Sequence, residues 1–426
     1  MSKVLRLKLV LLLLFLITVG HAQKLESTAP EEVGMSTQRL DRLSKVMEQY
    51  VKDGKMAGNV TLIARKGKIV YHQAFGKSDM ELNKEMTTDA IFRIASQTKA
   101  IVSVAIMILQ EEGKLLIADP IGNYLPEWNE TTVAQKKEDG GYEVVPAQRK
   151  ITIRDLLTHT AGIGYGHGPA KDEWKAAGIQ NWYFADRNEP IAETIARMAK
   201  LPMDAQPGER FVYGYNTDIL GVIVEKVSGQ SLDQFIKERI LEPLEMKDTY
   251  FYLPKNKSDR LATSYMAYSG KDLERAPNPG LGVGQGHYVK GPRKSFSGGA
   301  GLLSTSLDYA TFLQMMLNGG AYNGNQILSP KTVELMISDH VVSRDITYSG
   351  RSGSGFGLGF SVTKDVGQRG VPGSVGTYEW GGAYGSTYWV DPVEELVVVY
   401  FKQLIPTNGV DDHAKLRNLV YQAIIE

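Results

Sequence analysis

The chain has 426 residues, with 48 Lys plus Arg balanced by 48 Asp plus Glu, and no cysteine. Such a length allows a large core and more than one lobe, and a neutral chain without a basic stripe offers nucleic acid no electrostatic footprint. The missing cysteine excludes disulfides, thiolate catalysis, iron–sulfur clusters and a lipid-anchored N-terminal cysteine.

Lys3, Arg6 and Lys8 precede an uninterrupted apolar run, 9–17, and Gly20-His21-Ala22 sets small residues before Gln23. Residues 1–22 therefore read as a secretory signal peptide, too short for a comfortable membrane span. The alternative is an uncleaved N-terminal anchor. After cleavage no stable membrane span remains, and the mature chain, starting near Gln23, would be secreted or periplasmic in a bacterium.

Apolar residues at 40, 43, 46, 47 and 51 follow helical spacing, with Ser36 or Thr37 able to cap that helix. Two β-rich runs, 59–65 and 69–76, surround Lys66-Gly67-Lys68 and predict a hairpin. Residues 120–128 form a breaker-rich loop, and the polar stretch 130–150 reads as an exposed excursion. Helices are expected over 151–162, 189–201, 218–227, 232–240 and 307–317, with 243–294 mostly irregular. Strands 385–390 and 395–401 flank Asp391-Pro392, and 412–425 ends the chain as a helix. Strands at both termini with helices between predict a sheet domain from 23–90 and 291–426 and a helical lobe over 91–290.

The chemistry centres on Ile91-Phe92-Arg93-Ile94-Ala95-Ser96-Gln97-Thr98-Lys99. Ser96 and Lys99 stand three apart at the start of an apolar helix, so they share one face. A serine hydroxyl needs a neighbouring base to become a nucleophile, and a lysine can take part once burial or charge tunes it. The bland alternative is an N-cap serine beside a solvated lysine, which the apolar run 100–109 disfavours. Tyr213 precedes a second apolar helix, and a tyrosinate held by a lysine cation can serve as general base. The glycines of Trp380-Gly381-Gly382-Ala383 would let a substrate lie against the backbone, with one N–H facing an oxyanion.

Together, Ser96-x-x-Lys99, Tyr213 in Pro-Gly-x-x-Phe-x-Tyr-Gly, and Trp380-Gly381-Gly382 resemble the three motifs of the serine β-lactamase and penicillin-binding family. The closer likeness is to its class C branch, which includes many esterases. Supporting stretches are 156–162, 299–305 and 355–359, and the likeness runs from about Pro30 to the end. It implies an α+β, β-lactamase/transpeptidase-like fold: an antiparallel sheet flanked by terminal helices, with an inserted helical lobe and the active site between. By the same resemblance Ser96 is the acylated nucleophile, Lys99 holds Tyr213 as a phenolate or shares its proton, and Tyr213 is the base. The Ser96 and Ala383 N–H groups would form the oxyanion hole, and Tyr215, Trp380, Gly381 and Gly382 would bind substrate. No metal or other cofactor is implied.

Two departures matter. Trp380 stands where β-lactam-recognising members carry a cation, and Tyr215 stands where class C members have the Asn of Tyr-x-Asn, with Asn216 one step on. Both favour small neutral esters over anionic β-lactams. A slipped alignment would make Tyr215 the base instead. The alternatives are amide substrates (a β-lactam or a D-amino-acid peptide) on the same scaffold, or a catalytically silent cell-wall-binding module. The oligomeric state is not readable.

Other candidates have plainer explanations. His159 is expected to be a hydrogen-bonded structural histidine rather than a base. His287 and Tyr288 lie in a loop that is either surface or pocket wall, and Trp182, Tyr183 and Phe184 either wall an acyl pocket or join the core. The glycine pattern 280–286 lacks the strand and helix that a dinucleotide loop needs.

Overall fold

Strands from the two ends of the chain build one sheet. The computed structural model describes residues 24–426 except 139, 269–271, 281, 345, 347, 349 and 408. The signal peptide expected over 1–22 lies outside the described residues. The strands are β1 (Glu26–Ser27), β2 (Gly58–Arg65), β3 (Lys68–Asp79), β4 (Ser354–Phe356), β5 (Ser361–Thr363), β6 (Tyr378–Gly381), β7 (Thr387–Asp391) and β8 (Leu396–Lys402). Their order is β1-β3-β2-β8-β7-β6-β5-β4, with the short strand Lys84–Glu85 paired to the end of β3. All neighbours on this path are antiparallel except β1, which runs parallel to β3, so the expected antiparallel sheet carries one two-residue parallel edge.

Six helices frame the sheet and site: α1 (Thr37–Lys52), α2 (Thr98–Glu111), α3 (Ile153–Leu157), α4 (Asn216–Ser228), α5 (Ser306–Leu317) and α6 (Asp412–Tyr421). The period-two alternation of β8 decides what covers each face. Leu396, Val398 and Tyr400 pack under the terminal helices α1 and α6. Val397, Val399 and Phe401 join the larger core on the other face, where α5 packs on β8. Full burial of each such aliphatic side chain contributes about 1.5–3 kcal/mol, so β8 tolerates little polarity on either side. Caps fix where the helices begin. Ser36 Oγ accepts the Arg39 N–H at 3.3 Å, and Thr152 with Asp155 makes a reciprocal capping box on α3.

Two segments differ from expectation. The stretch 130–150 is a β-hairpin, Thr132–Lys136 against Tyr142–Pro146. Val133 and Ala134 bury into the core and the Ala134 N–H reaches the Met203 carbonyl at 2.8 Å, a long-range pairing that local polarity hides. The helix expected over 151–162 spans Ile153–Leu157 alone. Among the described residues, no helix is long and apolar enough to cross a membrane.

Candidate active site

Phe92–Arg93 pairs with Leu303–Ser304 and delivers the chain into a tight turn, Ala95–Gln97, before α2 begins. Ala95 sits at φ 42°, in the left-handed region, immediately before Ser96. Such a conformation costs a side-chain-bearing residue about 1–3 kcal/mol and persists only where its surroundings over-determine it. Here the Ile94 N–H reaches the Leu302 carbonyl at 3.1 Å, the Leu302 N–H donates to Thr98 Oγ1 at 3.0 Å, and the Tyr309 hydroxyl caps the Gln97 carbonyl at 2.9 Å.

Lys99 is buried, yet no carboxylate touches it among the described residues. Its Nζ lies 3.2 Å from Ser96 Oγ, 3.2 Å from the Tyr165 hydroxyl and 2.7 Å from the Gly299 carbonyl. Three oxygens thus meet the three N–H bonds of an ammonium. The Tyr213 ring faces the same nitrogen, with its centroid 4.7 Å away, a cation–π geometry. Trp380 Nε1 donates to the Tyr213 hydroxyl at 3.1 Å, and the Tyr165 ring meets the Tyr213 ring edge-on at 5.7 Å. Burial, reinforced by the neighbouring Tyr213, Asp218 and Tyr215, drives the Tyr165 phenol well above its ordinary range, so Tyr165 stays a neutral donor.

Behind Lys99 stands Asp218 on α4. Its Oδ1 accepts from Ser297 Oγ at 2.6 Å and from the Gly299 N–H at 3.0 Å. This fixes the peptide whose carbonyl receives Lys99, and a Cβ on Gly299 would collide with the Asp218 carboxylate. Burial raises the Asp218 carboxyl above its usual range, with Lys99 pulling the other way.

Ser96, Tyr165, Tyr213, Trp380, Gly381, Gly382 and Ala383 line one cleft of about 450 Å³. The Gly382–Ala383 turn leaves the end of β6 and presses on the turn that carries Ser96. A Cβ on Gly382 would lie 2.5 Å from the Ile94 carbonyl oxygen. Ser96 and Ala383 therefore face the cleft from two elements in contact.

The structure brings together every expected site residue but one. Tyr215 is fully buried and is corrected from a substrate-binding position to a core position. Its hydroxyl donates to the Asn181 carbonyl at 2.6 Å and its ring stacks on Trp174 at 5.9 Å. Two residues beyond Tyr213 the chain has already turned into α4, which points this ring away from the cleft. Asn216 is likewise internal, donating to His159 Nδ1 at 2.9 Å and to the Ile163 carbonyl at 3.1 Å. Burial, with the Lys99 charge adding to it, pushes His159 well below the usual histidine range, so it is a neutral support for the Tyr213 ring 4.7 Å away. The aromatic trio divides: Trp182 lines the cleft, while Tyr183 bonds His287 and Phe184 packs on Tyr215. Tyr288 is buried beneath Arg93.

Tyr165 and the Gly299 carbonyl were not singled out from sequence. Both belong to loops far from Ser96 along the chain, and the only local signal was a tyrosine within a glycine-rich stretch and a run of small residues. In the resting geometry Ser96 Oγ bonds Lys99, and Tyr213 is held toward Trp380 and Tyr165. Among the described residues, no group of three or more histidine or carboxylate side chains is arranged to hold a metal ion.

Comparison with known proteins follows the same lines. A family model described as β-lactamase matches residues 43–422. The esterase EstB of Burkholderia gladioli is 31% identical over 369 residues, covering 82% of this chain and 86% of its own. A Mycobacterium tuberculosis protein, Rv1367c, is 34% identical over 387 residues, covering 87% and 92%. The solved structure of EstCE1, a hydrolase with promiscuous acyltransferase activity, superposes with a TM-score of 0.75 at 28% identity, covering 90% of this chain and 98% of that one.

Proposed function

Because the chain belongs to the β-lactamase family and is a serine hydrolase of it, we propose that it is a secreted enzyme that cleaves carboxylic esters through an acyl-enzyme on Ser96. The observation that carries the ester assignment is the Trp380–Tyr213 hydrogen bond of 3.1 Å. A neutral indole, engaged with the candidate base, fills the place where β-lactam-recognising members present a cation, so the wall beside the scissile bond is aromatic and uncharged. EstB, an esterase by name, supports the same choice.

In this mechanism Ser96 Oγ attacks the ester carbonyl carbon while its proton passes to the Lys99–Tyr213 pair. Tyr213 turns its oxygen toward Ser96 once substrate is bound, as catalytic hydrogen bonds often tighten only then. The Lys99 ammonium and the neutral Tyr165 hydroxyl stabilise negative charge on Tyr213. The N–H groups of Ser96 and Ala383 receive the oxyanion, a contribution typically worth about 2.7–4 kcal/mol per donor. The proton returns to the departing alkoxide and the alcohol leaves. Water then repeats the sequence on the acyl-enzyme, releasing the carboxylic acid and restoring Ser96.

A chromogenic butyrate ester assayed beside a chromogenic cephalosporin tests the assignment. Turnover of the ester with little of the cephalosporin is expected, as is a fluorophosphonate adduct on Ser96 by mass spectrometry. Rapid cephalosporin hydrolysis would move the chain to the β-lactam alternative, and an unlabelled Ser96 would remove the nucleophile altogether.

A further inference from the structure

The Ser96 cleft does not end at Trp380. It continues past Arg351, Thr387 and His413, which also line an adjoining cavity of about 400 Å³. Arg369 and Arg417 complete the charged wall of that cavity, and among the described residues no carboxylate lines it. All three guanidiniums converge on Glu379. Arg351 Nη1 and Arg369 Nη2 each lie 2.8 Å from Oε1, and Arg417 Nη2 engages Oε2. Burial alone would raise the Glu379 carboxyl, but Arg417, Arg369 and Arg351 outweigh it and hold it ionised.

One carboxylate against three permanently charged guanidiniums leaves two positive charges uncompensated. Among the described residues, no other charged side chain lines the cavity. Burial and the Lys402 charge lower His413 below its ordinary range, so it is neutral, and its Nε2 is engaged by the Gly385 carbonyl at 2.8 Å. Asp391 accepts from the Tyr421 hydroxyl at 2.8 Å and Asp365 from the Gln368 N–H at 2.9 Å; both keep their charge behind the wall, and neither lines the cavity. Arg369 and Arg417 are buried and spend further N–H bonds on Ser354 Oγ and the Pro372 carbonyl, whereas Arg351 is 69% exposed and bonds only Glu379 among the described residues. Like charges gathered in a concave, partly desolvated wall attract an anion, and guanidinium forks match a carboxylate.

Resting on the ester-hydrolase assignment, we propose that this arginine cavity is an anion subsite and that the enzyme acts on esters bearing a carboxylate beyond the scissile bond. Trp380 gives the wall beside the scissile bond no cation of its own, and recognition of a substrate's charge is displaced further along the cleft.

Binding to the Ser96→Ala protein, titrated by calorimetry, tests the subsite without turnover. Mono-4-nitrophenyl glutarate against 4-nitrophenyl butyrate places the carboxylate on the acyl side. 4-(Butyryloxy)benzoate against its methyl ester places it on the leaving side. One carboxylated ester is expected to bind about tenfold tighter than its neutral counterpart or better, and Arg351→Gln, at an exposed position, is expected to erase that preference. Equal binding within both pairs, no detectable binding of either carboxylate, or a preference that survives Arg351→Gln overturns the subsite. Failure of the wild-type enzyme to hydrolyse 4-nitrophenyl butyrate or either carboxylated ester, with the carboxylate preference in binding intact, would instead overturn the reaction and leave the subsite standing.

Discussion

Two lysines lie inside this molecule with about the same burial and very different company. Lys402, at the end of β8, meets Asp412 of α6 at 2.6 Å, and the Tyr400 hydroxyl bonds the same carboxylate at 2.7 Å. Lys99, at the start of α2, meets among the described residues only neutral oxygens and the faces of Tyr165 and Tyr213. The first charge is cancelled on site and pins the last helix to the sheet. The second is surrounded by dipoles and left without a touching counter-ion, so its field falls on whatever occupies the cleft. A buried charge that the fold does not neutralise is held for chemistry rather than for stability.

The contrast breaks most visibly by exchanging function for stability. Lys99→Met is expected to lower kcat/KM on the order of a thousandfold or more, the range for loss of an acid–base group, with an almost unchanged urea midpoint. Lys402→Met is expected to do the reverse. It strands Asp412 as an unpaired buried charge and should cost roughly 3–5 kcal/mol in equilibrium unfolding, with activity retained wherever the protein remains folded. If both variants unfold alike, the two lysines are not different in kind.

A smaller effect sharpens the account of the phenols. Tyr213→Phe should cost about a hundredfold in turnover of a short ester, whereas Tyr215→Phe should cost only the roughly 1 kcal/mol of stability carried by its bond to Asn181. A crippled Tyr215→Phe enzyme with a healthy Tyr213→Phe would reverse the roles.

The mildest consequence concerns His159. Burial and the Lys99 charge depress its folded pKa far below the unfolded value near 6.5. Its contribution to stability is therefore fully present above pH 6.5 and is lost as pH falls toward the folded value. Unfolding free energy measured between pH 6.5 and 5 should fall more steeply for the wild type than for His159→Asn, by up to about 1.4 kcal/mol per pH unit. Equal slopes would mean that His159 is not held neutral.

The alternation of 396–401 fixes both faces of the central strand, and the Ser-x-x-Lys spacing forces its two side chains together because a single turn relates them. Such features need no knowledge of distant chain. Tyr213 was legible through its place before an apolar helix and the likeness of its surroundings. Its neighbour Tyr215 was not, because the direction of a ring near a loop–helix junction is set by what packs there, here Trp174 and Phe184. Tyr165 and the Gly299 carbonyl escaped for the same reason. They reach Lys99 only after separate loops have been brought in by α4 and by the turn following Ser297. The hairpin at 132–146 was hidden by polarity on its outer face.

The contact between the Gly382 turn and Ile94 has a consequence for when the enzyme can exist. Ser96 belongs to the first quarter of the chain and the Gly382–Ala383 turn to a stretch near its end, and they meet in a sheet in which β8 pairs with β2. A polypeptide cut before β6 therefore carries Ser96 without the opposite wall of the cleft, and on the proposed mechanism hydrolysis waits for the final strands to join. On the proposed mechanism, the order of the strands along the chain alone delays the completion of the cleft.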